Sequence, residues 1–431
     1  MAATVQRNGR NKLLAKALHR PHRLTVLALL FASTSVQAAE PDAQGMPEGE
    51  REKMAPHEVD AAKIHFKPGK GLAISSADGQ FKLTTRLRAQ ALHTVVVDDG
   101  DVTQGLQLRR ARLLFTGHMF GKDNYFKFEL AVSPRDIGLR PEGTISKSPL
   151  LDWYFQFKQL RDLNVRVGQY KVPFNRQRVI SSGNLQMVDR SIANGEFTMD
   201  RDVGLDIRSS DLGGLGMFRY YAGVYTGEGH SSFATGDLGL MYLGRVEFLP
   251  LGMFKDYSEA AFARPPKPQL SIGAAFSYVD EAKRNRGIIG RTPADGGTTD
   301  TMNFTSDVAF RLSGLSFEGA FFWRRGTRNP GDEVDAMGTS IATELPRDGM
   351  GYFGQVGYLI PHHPLEVSAR FGQLIAAEQS SLSDRSEAGL GFSYYFARHP
   401  MKLQGDYFRF WGREGVAKGS DQIRVQMQLS Y

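Results

Sequence analysis

Basic side chains recur at intervals of two early in the chain. Lys82, Arg86 and Arg88 share one parity, and Arg110 and Arg112 continue it further on. No Asp or Glu occupies the even positions of 82–96 or 104–120. A second basic group surrounds the stretch 173–199. Arg176, Arg178 and Arg190 lie within it, with Lys171 just before and Arg201 just after. Guanidinium groups donate in a planar fork that fits phosphate and carboxylate. Like charges within a Debye length, about 8 Å at physiological ionic strength, add their pull on small anions. The chemistry on offer is anion attraction. Asp189, Glu196 and Asp200 lie in or beside the second group, so each of its arginines either faces an anion or pairs with an acid and holds the stretch in place.

Signals for covalent chemistry are weak. The chain has no Cys, which excludes a disulfide framework, a thiolate zinc site, an iron–sulfur cluster and a cysteine nucleophile. Gly117-His118-Met119-Phe120-Gly121-Lys122 is one residue short of a phosphate loop and lacks its Ser or Thr. His362-His363 stands between two prolines and reads as a turn rather than a metal site. A surface hydrolase would need Ser and His on one exposed strand edge, and no such pair stands out. No enzyme activity, cofactor or metal is expected.

The basic groups need elements with two unlike faces. From Phe81 to Val95 the odd positions are largely apolar (Phe81, Leu83, Leu87, Val95) and the even ones polar or cationic. That is the period of a strand. The same alternation runs through Leu151–Lys158, Val203–Arg208, Leu270–Tyr278, Leu315–Arg324, Leu365–Gly372 and Ile423–Tyr431. Sixteen such segments can be counted: 81–96, 104–120, 125–133, 150–158, 163–172, 200–209, 217–226, 238–249, 269–279, 301–311, 315–324, 350–360, 365–375, 386–396, 401–411 and 422–431. Short connectors alternate with long ones, except that 250–268 is long where a short one is due. The phase of 104–120 is imperfect, because Arg109, Arg110 and Arg112 cannot all face one way. Either a β-bulge shifts the phase or the stretch packs against something inside.

The whole chain of 431 residues carries 53 basic and 46 acidic residues, a net charge of +7. Six of the basic residues fall in 1–38, which holds no acid. They precede the apolar run Leu24–Ala32 and the small-residue pattern Val36-Gln37-Ala38, so 1–38 reads as a secretory signal peptide. Its removal leaves 53 − 6 = 47 basic against 46 acidic residues, or +1. The apparent basicity gives no reason to expect a nucleic-acid partner. Residues 39–71 are polar and aperiodic and read as a flexible segment. No stretch reaches the ~20 apolar residues of a spanning helix. The export signal then leaves a soluble sandwich or a β-barrel, the other structure that satisfies its backbone in lipid. Two features favour the barrel: aromatics near strand ends (Trp153, Tyr154, Tyr170, Tyr220, Tyr221, Trp323, Tyr394, Tyr395, Trp411), and a terminal strand that closes on Tyr431. The expected fold is all-β over 72–431: a sixteen-stranded antiparallel transmembrane β-barrel with short periplasmic turns and long extracellular loops.

Particular words in the chain then look familiar. Gly168-Gln169-Tyr170-Lys171-Val172-Pro173-Phe174 resembles the hallmark of the phosphate-selective porin O and P family. Arg109-Arg110-Ala111-Arg112-Leu113 with Phe120-Gly121-Lys122, Arg201-Asp202-Val203-Gly204-Leu205, Tyr221–Gly229 and Gly244-Arg245-Val246-Glu247-Phe248 follow in family order. The resemblance covers roughly 72–431. It implies a sixteen-stranded, usually trimeric porin of the Gram-negative outer membrane, passing small anions such as inorganic phosphate. The family name does not settle which anion. A plugged barrel that binds or scaffolds at the cell surface is the alternative. Expected channel-lining or anion-binding residues are Lys82, Arg86, Arg88, Arg110, Arg112, Lys171, Arg176, Arg178 and Arg190.

Overall fold

A computed structural model describes residues 62–431 apart from 141–143, 231–238 and 335–336. The expected signal peptide and residues 39–61 of the expected flexible segment lie outside the described residues.

Eighteen strands are described. A short hairpin comes first, β1 (Lys63–Lys67) and β2 (Gly71–Ser75). The wall follows: β3 (Lys82–Asp98), β4 (Asp101–His118), β5 (Asn124–Ala131), β6 (Leu150–Phe157), β7 (Asn164–Lys171), β8 (Arg201–Ser209), β9 (Phe218–Tyr225) and β10 (Met241–Phe248). It continues through β11 (Gln269–Ala282), β12 (Thr298–Leu312), β13 (Leu315–Asn329), β14 (Gly349–Leu359), β15 (Leu365–Ala376), β16 (Arg385–Tyr395), β17 (Met401–Trp411) and β18 (Ser420–Ser430). Each wall strand from β3 to β18 pairs antiparallel with the next, and β18 pairs back onto β3, so these sixteen strands form a closed barrel. Closure removes the free edges that lipid does not tolerate.

Alternation decides which side chains go where. Outward positions carry apolar groups left exposed, such as Val246, Phe276, Phe304 and Leu390. Inward positions carry polar groups that are covered, such as Asn303, Gln404 and Gln426. A polar inside and an apolar outside suit a barrel standing in a bilayer.

The imperfect phase of β4 has a local cause. Gln90 pairs with Arg110 and Ala91 with Leu108, which leaves Arg109 as an extra residue in a bulge. Beyond the bulge Leu106 and Leu108 stand on the exposed side, while Leu114 shares Arg112's inward side and lines the lumen cavity. The first connector is only two residues long. Asp99 and Gly100 both take positive φ (47° and 86°), the conformation a tight hairpin needs.

Residues 63–71, expected to be flexible, instead contribute β1 and the start of β2. Leu72 to Ser75 pair with Thr85 to Lys82. This hairpin continues the β18 side of β3 past the C-terminus, where the Phe66 and Tyr431 rings lie 6.4 Å apart.

Connectors at the end bearing the termini are short except 249–268. Those at the other end are mostly long. The long connector 172–200 folds into the barrel and carries two short helices, α1 (Arg176–Val179) and α2 (Ile192–Phe197). Asn175 caps the first and Ser191 the second through their side-chain oxygens. Phe174, Phe197 and Met199 of this loop join a buried apolar cluster with Phe322, Phe353 and Leu374 of β13–β15. Phe197 stacks on Phe322 with centroids 6.0 Å apart.

Candidate anion site in the lumen

The inward loop divides the interior unevenly. On the side of β12–β18 it is stitched to the wall. Lys402 Nζ donates to the Leu185 carbonyl (2.6 Å), Gln404 to the Gln186 carbonyl (2.8 Å) and Arg370 to the Asp189 carbonyl (2.8 Å). The backbone N–H groups of Val188 and Ile192 donate to Asp406 and Glu387. Carboxylates on this side meet arginines: Arg245–Asp307 (2.8 Å), Arg370–Glu387 (3.0 Å), Arg424–Asp406 (2.7 Å) and Arg311–Glu318.

Below the loop, against β3–β8, lies a cavity of about 480 Å³. Seven basic side chains line it: Arg86, Arg88, Arg112, Lys127, Arg166, Lys171 and Arg201. Only two carboxylates do, Glu129 and Asp152. The acids sit between the bases rather than cancelling them. Arg112 reaches Glu129 (3.0 Å) and Asp136 (3.3 Å), Lys127 reaches Glu129 (2.9 Å) and Asp152, and Arg201 also reaches Asp152. Arg88 donates to Ser181 Oγ (2.8 Å) and lies 4.0 Å from Glu129.

Three of the seven have no carboxylate within 4.0 Å among the described residues. Arg86 is half-buried and makes no ion pair. Arg166 donates both Nε and one Nη to Gln156 and lies over the Tyr154 ring at 4.2 Å. Lys171 donates to the carbonyls of Arg178 (2.8 Å) and Ile180 (3.2 Å). Neutral partners hold Arg166 and Lys171 in place and leave their charge unspent. A hydrated lumen tolerates that, whereas a lipid-facing site would not.

The remaining expected residues divide by role. Lys82 stands exposed at the mouth that bears the termini, with no ion pair among the described residues. Arg110 donates to Gln90 (2.9 Å) and lies 3.9 Å from Asp189, which Arg109 also engages. Arg176 does not line the cavity; it is buried on Asp307 (3.0 Å), Asp256 and Ser271 (2.8 Å), and anchors the loop. Arg178 is taken up by Asp200 (2.9 Å). Arg190 donates to the carbonyls of Gln177 and Ile180, both at 2.7 Å. The basic stripe is thus not free of acids: Glu129 of β5 and Asp136 and Asp189 of connectors reach into it from elsewhere in the chain.

Lys127 lies outside the expected set, and its shared parity with Glu129 on β5 is the signal that could have found it. Arg166 also lies outside the expected set, and Arg201, noted only as flanking the stretch 173–199, joins the group. Tyr154, Tyr170 and Tyr395, expected in an interfacial girdle, are buried inside the barrel instead. Tyr154 and Tyr170 meet edge to face at 5.5 Å beside the cavity. Trp323 and Tyr394 are on the exposed face.

Comparison with known proteins adds to this geometry. Residues 81–253 match the model of the family described as phosphate-selective porin O and P. An uncharacterized protein of Aquifex aeolicus is 22% identical over 299 residues, 65% of this chain and 66% of that relative. The anion-selective porin from Comamonas acidovorans superposes with a TM-score of 0.54 at 14% identity, covering 81% of this chain and 100% of that one. The trimer form of OmpT, an outer membrane protein of Vibrio cholerae, gives 0.50 at 10% identity, covering 81% and 99%. At these identities the likeness to the solved structures is one of fold.

Proposed function

We propose, from the match of residues 81–253 to the model of the phosphate-selective porin O and P family, that this chain forms an outer-membrane channel passing small anions along the β3–β8 wall. The observation that carries the reading is the cavity, with seven basic side chains against two carboxylates and three of the bases left without an acid. Uncompensated positive charge on a low-dielectric wall concentrates anions and repels cations. Arg86, Arg166 and Lys171 are the groups assigned to contact the anion. Arg88, Arg112, Lys127 and Arg201 set the field around them. The forked guanidinium groups suit inorganic phosphate as well as carboxylates. Arg176 and Arg178 hold the inward loop, and no chemical step is assigned to any residue.

The export signal at 1–38, insertion from the periplasm and assembly as a homotrimer complete the proposal. The trimer is supported by the family resemblance and by the trimeric form of the Vibrio cholerae protein. The test is a planar bilayer holding the purified protein under a KCl gradient. The sign of the reversal potential should show anion preference, and replacing chloride by phosphate should show whether phosphate passes or blocks. A cation-selective sign would overturn the reading. An absence of channels would favour a plugged barrel with a surface role.

A further inference from the structure

The connector 249–268 is long at an end where the others are short, and it does not hang free. It crosses the mouth from β10 toward the β16–β17 turn and returns to β11. Phe262 packs edge to face on Tyr395 (4.7 Å) and on His399 (4.9 Å). Arg264 donates to the carbonyls of Leu359 and Ser313. Ser258 meets His399 at 3.0 Å, and its carbonyl accepts from Arg311 (2.6 Å). Further in, the connector meets the inward loop itself. Asp256 engages Arg176, the Glu259 N–H donates to the Asn184 carbonyl (3.2 Å), and the Gln186 N–H donates to Glu259 (2.8 Å). Two segments entering from opposite ends of the barrel are therefore joined inside it.

The half they cover differs in charge from the open cavity. Glu259 and Glu366 have no basic partner within 4.0 Å among the described residues. Glu259 accepts from Gln186 and Gln355, and Glu366 from Gln186 and Tyr395. Lys402, whose Nζ donates to the Leu185 carbonyl (2.6 Å), lies near both, so the groups without an ion pair here are two acids and one base, against three bases and no acid in the cavity. We propose that residues 249–268 are a plug for the terminal-side mouth that keeps permeating ions out of the acidic half of the lumen. Anion preference then depends on the plug as well as on the basic wall. A path opened beside Glu259 and Glu366 would admit cations.

This inference rests on the channel reading, so the wild-type protein is measured first; if it forms no channels, that reading fails and the plug falls with it. Two variants then test the plug itself. One replaces 260–266 by the same number of Gly and Ser residues, which keeps Asp256 and Glu259 in place. The other is the double substitution Phe262→Ala, Arg264→Ala, which keeps the chain length and releases its seat. Conductance should rise in both, and the anion-to-cation permeability ratio should fall toward unity. Adding Glu366→Gln to the Gly-Ser variant should restore part of the anion preference. If the wild type conducts while both variants keep its conductance, the segment does not seal the mouth. If conductance rises with selectivity unchanged, the segment seals without sorting charge; either result overturns the proposal.

Discussion

Arg176 and Asp307 lie 131 positions apart in sequence and are joined twice. The guanidinium Nε donates to Oδ1 at 3.0 Å, and the Arg176 backbone N–H donates to Oδ2 at 3.1 Å. One wall carboxylate thus holds both the side chain and the backbone at the entry of the inward loop. Removing Arg176 leaves Asp307, Asp256 and Glu247 to Arg245 and Arg219 alone, and one uncompensated buried charge costs about 3–5 kcal/mol. Arg176→Met should lower the unfolding temperature of the detergent-solubilised barrel and make the open-channel current noisier. Combining it with Asp307→Asn should recover part of the stability. A variant as stable and quiet as the wild type would show that the loop is held elsewhere.

Arg86 should behave in the opposite manner. It pairs with no carboxylate and faces the cavity, so Arg86→Glu removes little that holds the fold. The reversal potential under a salt gradient should move toward cation preference, while the unfolding temperature stays close to that of the wild type. Arg112→Glu, which faces Glu129 and Asp136, should instead lose both stability and selectivity. The same bilayer and melting measurements made on the two variants separate a charge that acts on ions from one that also ties the wall.

Gly168 sits in β7 with φ at +130°, and a Cβ there would come within 2.2 Å of the Trp153 carbonyl oxygen. Strained backbone of this kind costs about 1–3 kcal/mol in a residue with a side chain, before the collision is counted. Gly168→Ala should reduce the yield of folded barrel in a refolding assay. Gly195→Ala in α2 is the control, since its added methyl meets nothing within 4 Å.

On the outer face, Phe276 of β11 pairs with Phe304 of β12 near the middle of both strands, and both rings are exposed. Phe276→Arg would place a charge against the lipid at a cost of about 2–4 kcal/mol near the mid-plane. Urea unfolding in lipid vesicles should report that loss. A negligible change would mean that a partner chain rather than lipid covers this face.

At the loop end, Arg413 donates to Asp384 (2.6 Å), and the Ala376 N–H donates to the same carboxyl (2.7 Å). These bonds, the Arg413 one foremost, hold the carboxyl below its ordinary range. A lowered folded value means that the tie is fully present above the ordinary Asp value of about 3.9 and is lost as pH falls through the lower folded one. Amide exchange at Ala376 should stay protected down to about pH 4 and open only below it. Asp384→Asn should weaken that protection at every pH.

The sequence made the wall legible because period-two alternation is a local property. Phe81–Val95 and Ile423–Tyr431 announce their two faces without reference to any partner. The bulge at Arg109 was half legible: three arginines out of phase showed that the register must break, though not where the extra residue sits. Pairings across the lumen left no local trace. Nothing near Arg176 points to Asp307, and nothing near Arg110 points to Asp189, so a stripe that looks unbalanced along the chain gains acids from distant segments. The hairpin at 63–75 escaped notice because strands of five residues are too short for alternation to stand out.

That hairpin also bears on how the barrel closes. Along one edge of β3, β2 occupies Lys82 to Thr85 and β18 occupies Arg88 to Val97, with the Tyr431 N–H reaching the Leu87 carbonyl at 3.1 Å between them. The last strand therefore meets an end stop. A slip of one residue toward the hairpin would turn its inward row of Arg424, Gln426 and Gln428 out to the lipid, and it would also run into chain already paired there. The β1–β2 hairpin serves as a ruler for the final join, fixing where the C-terminal strand must halt.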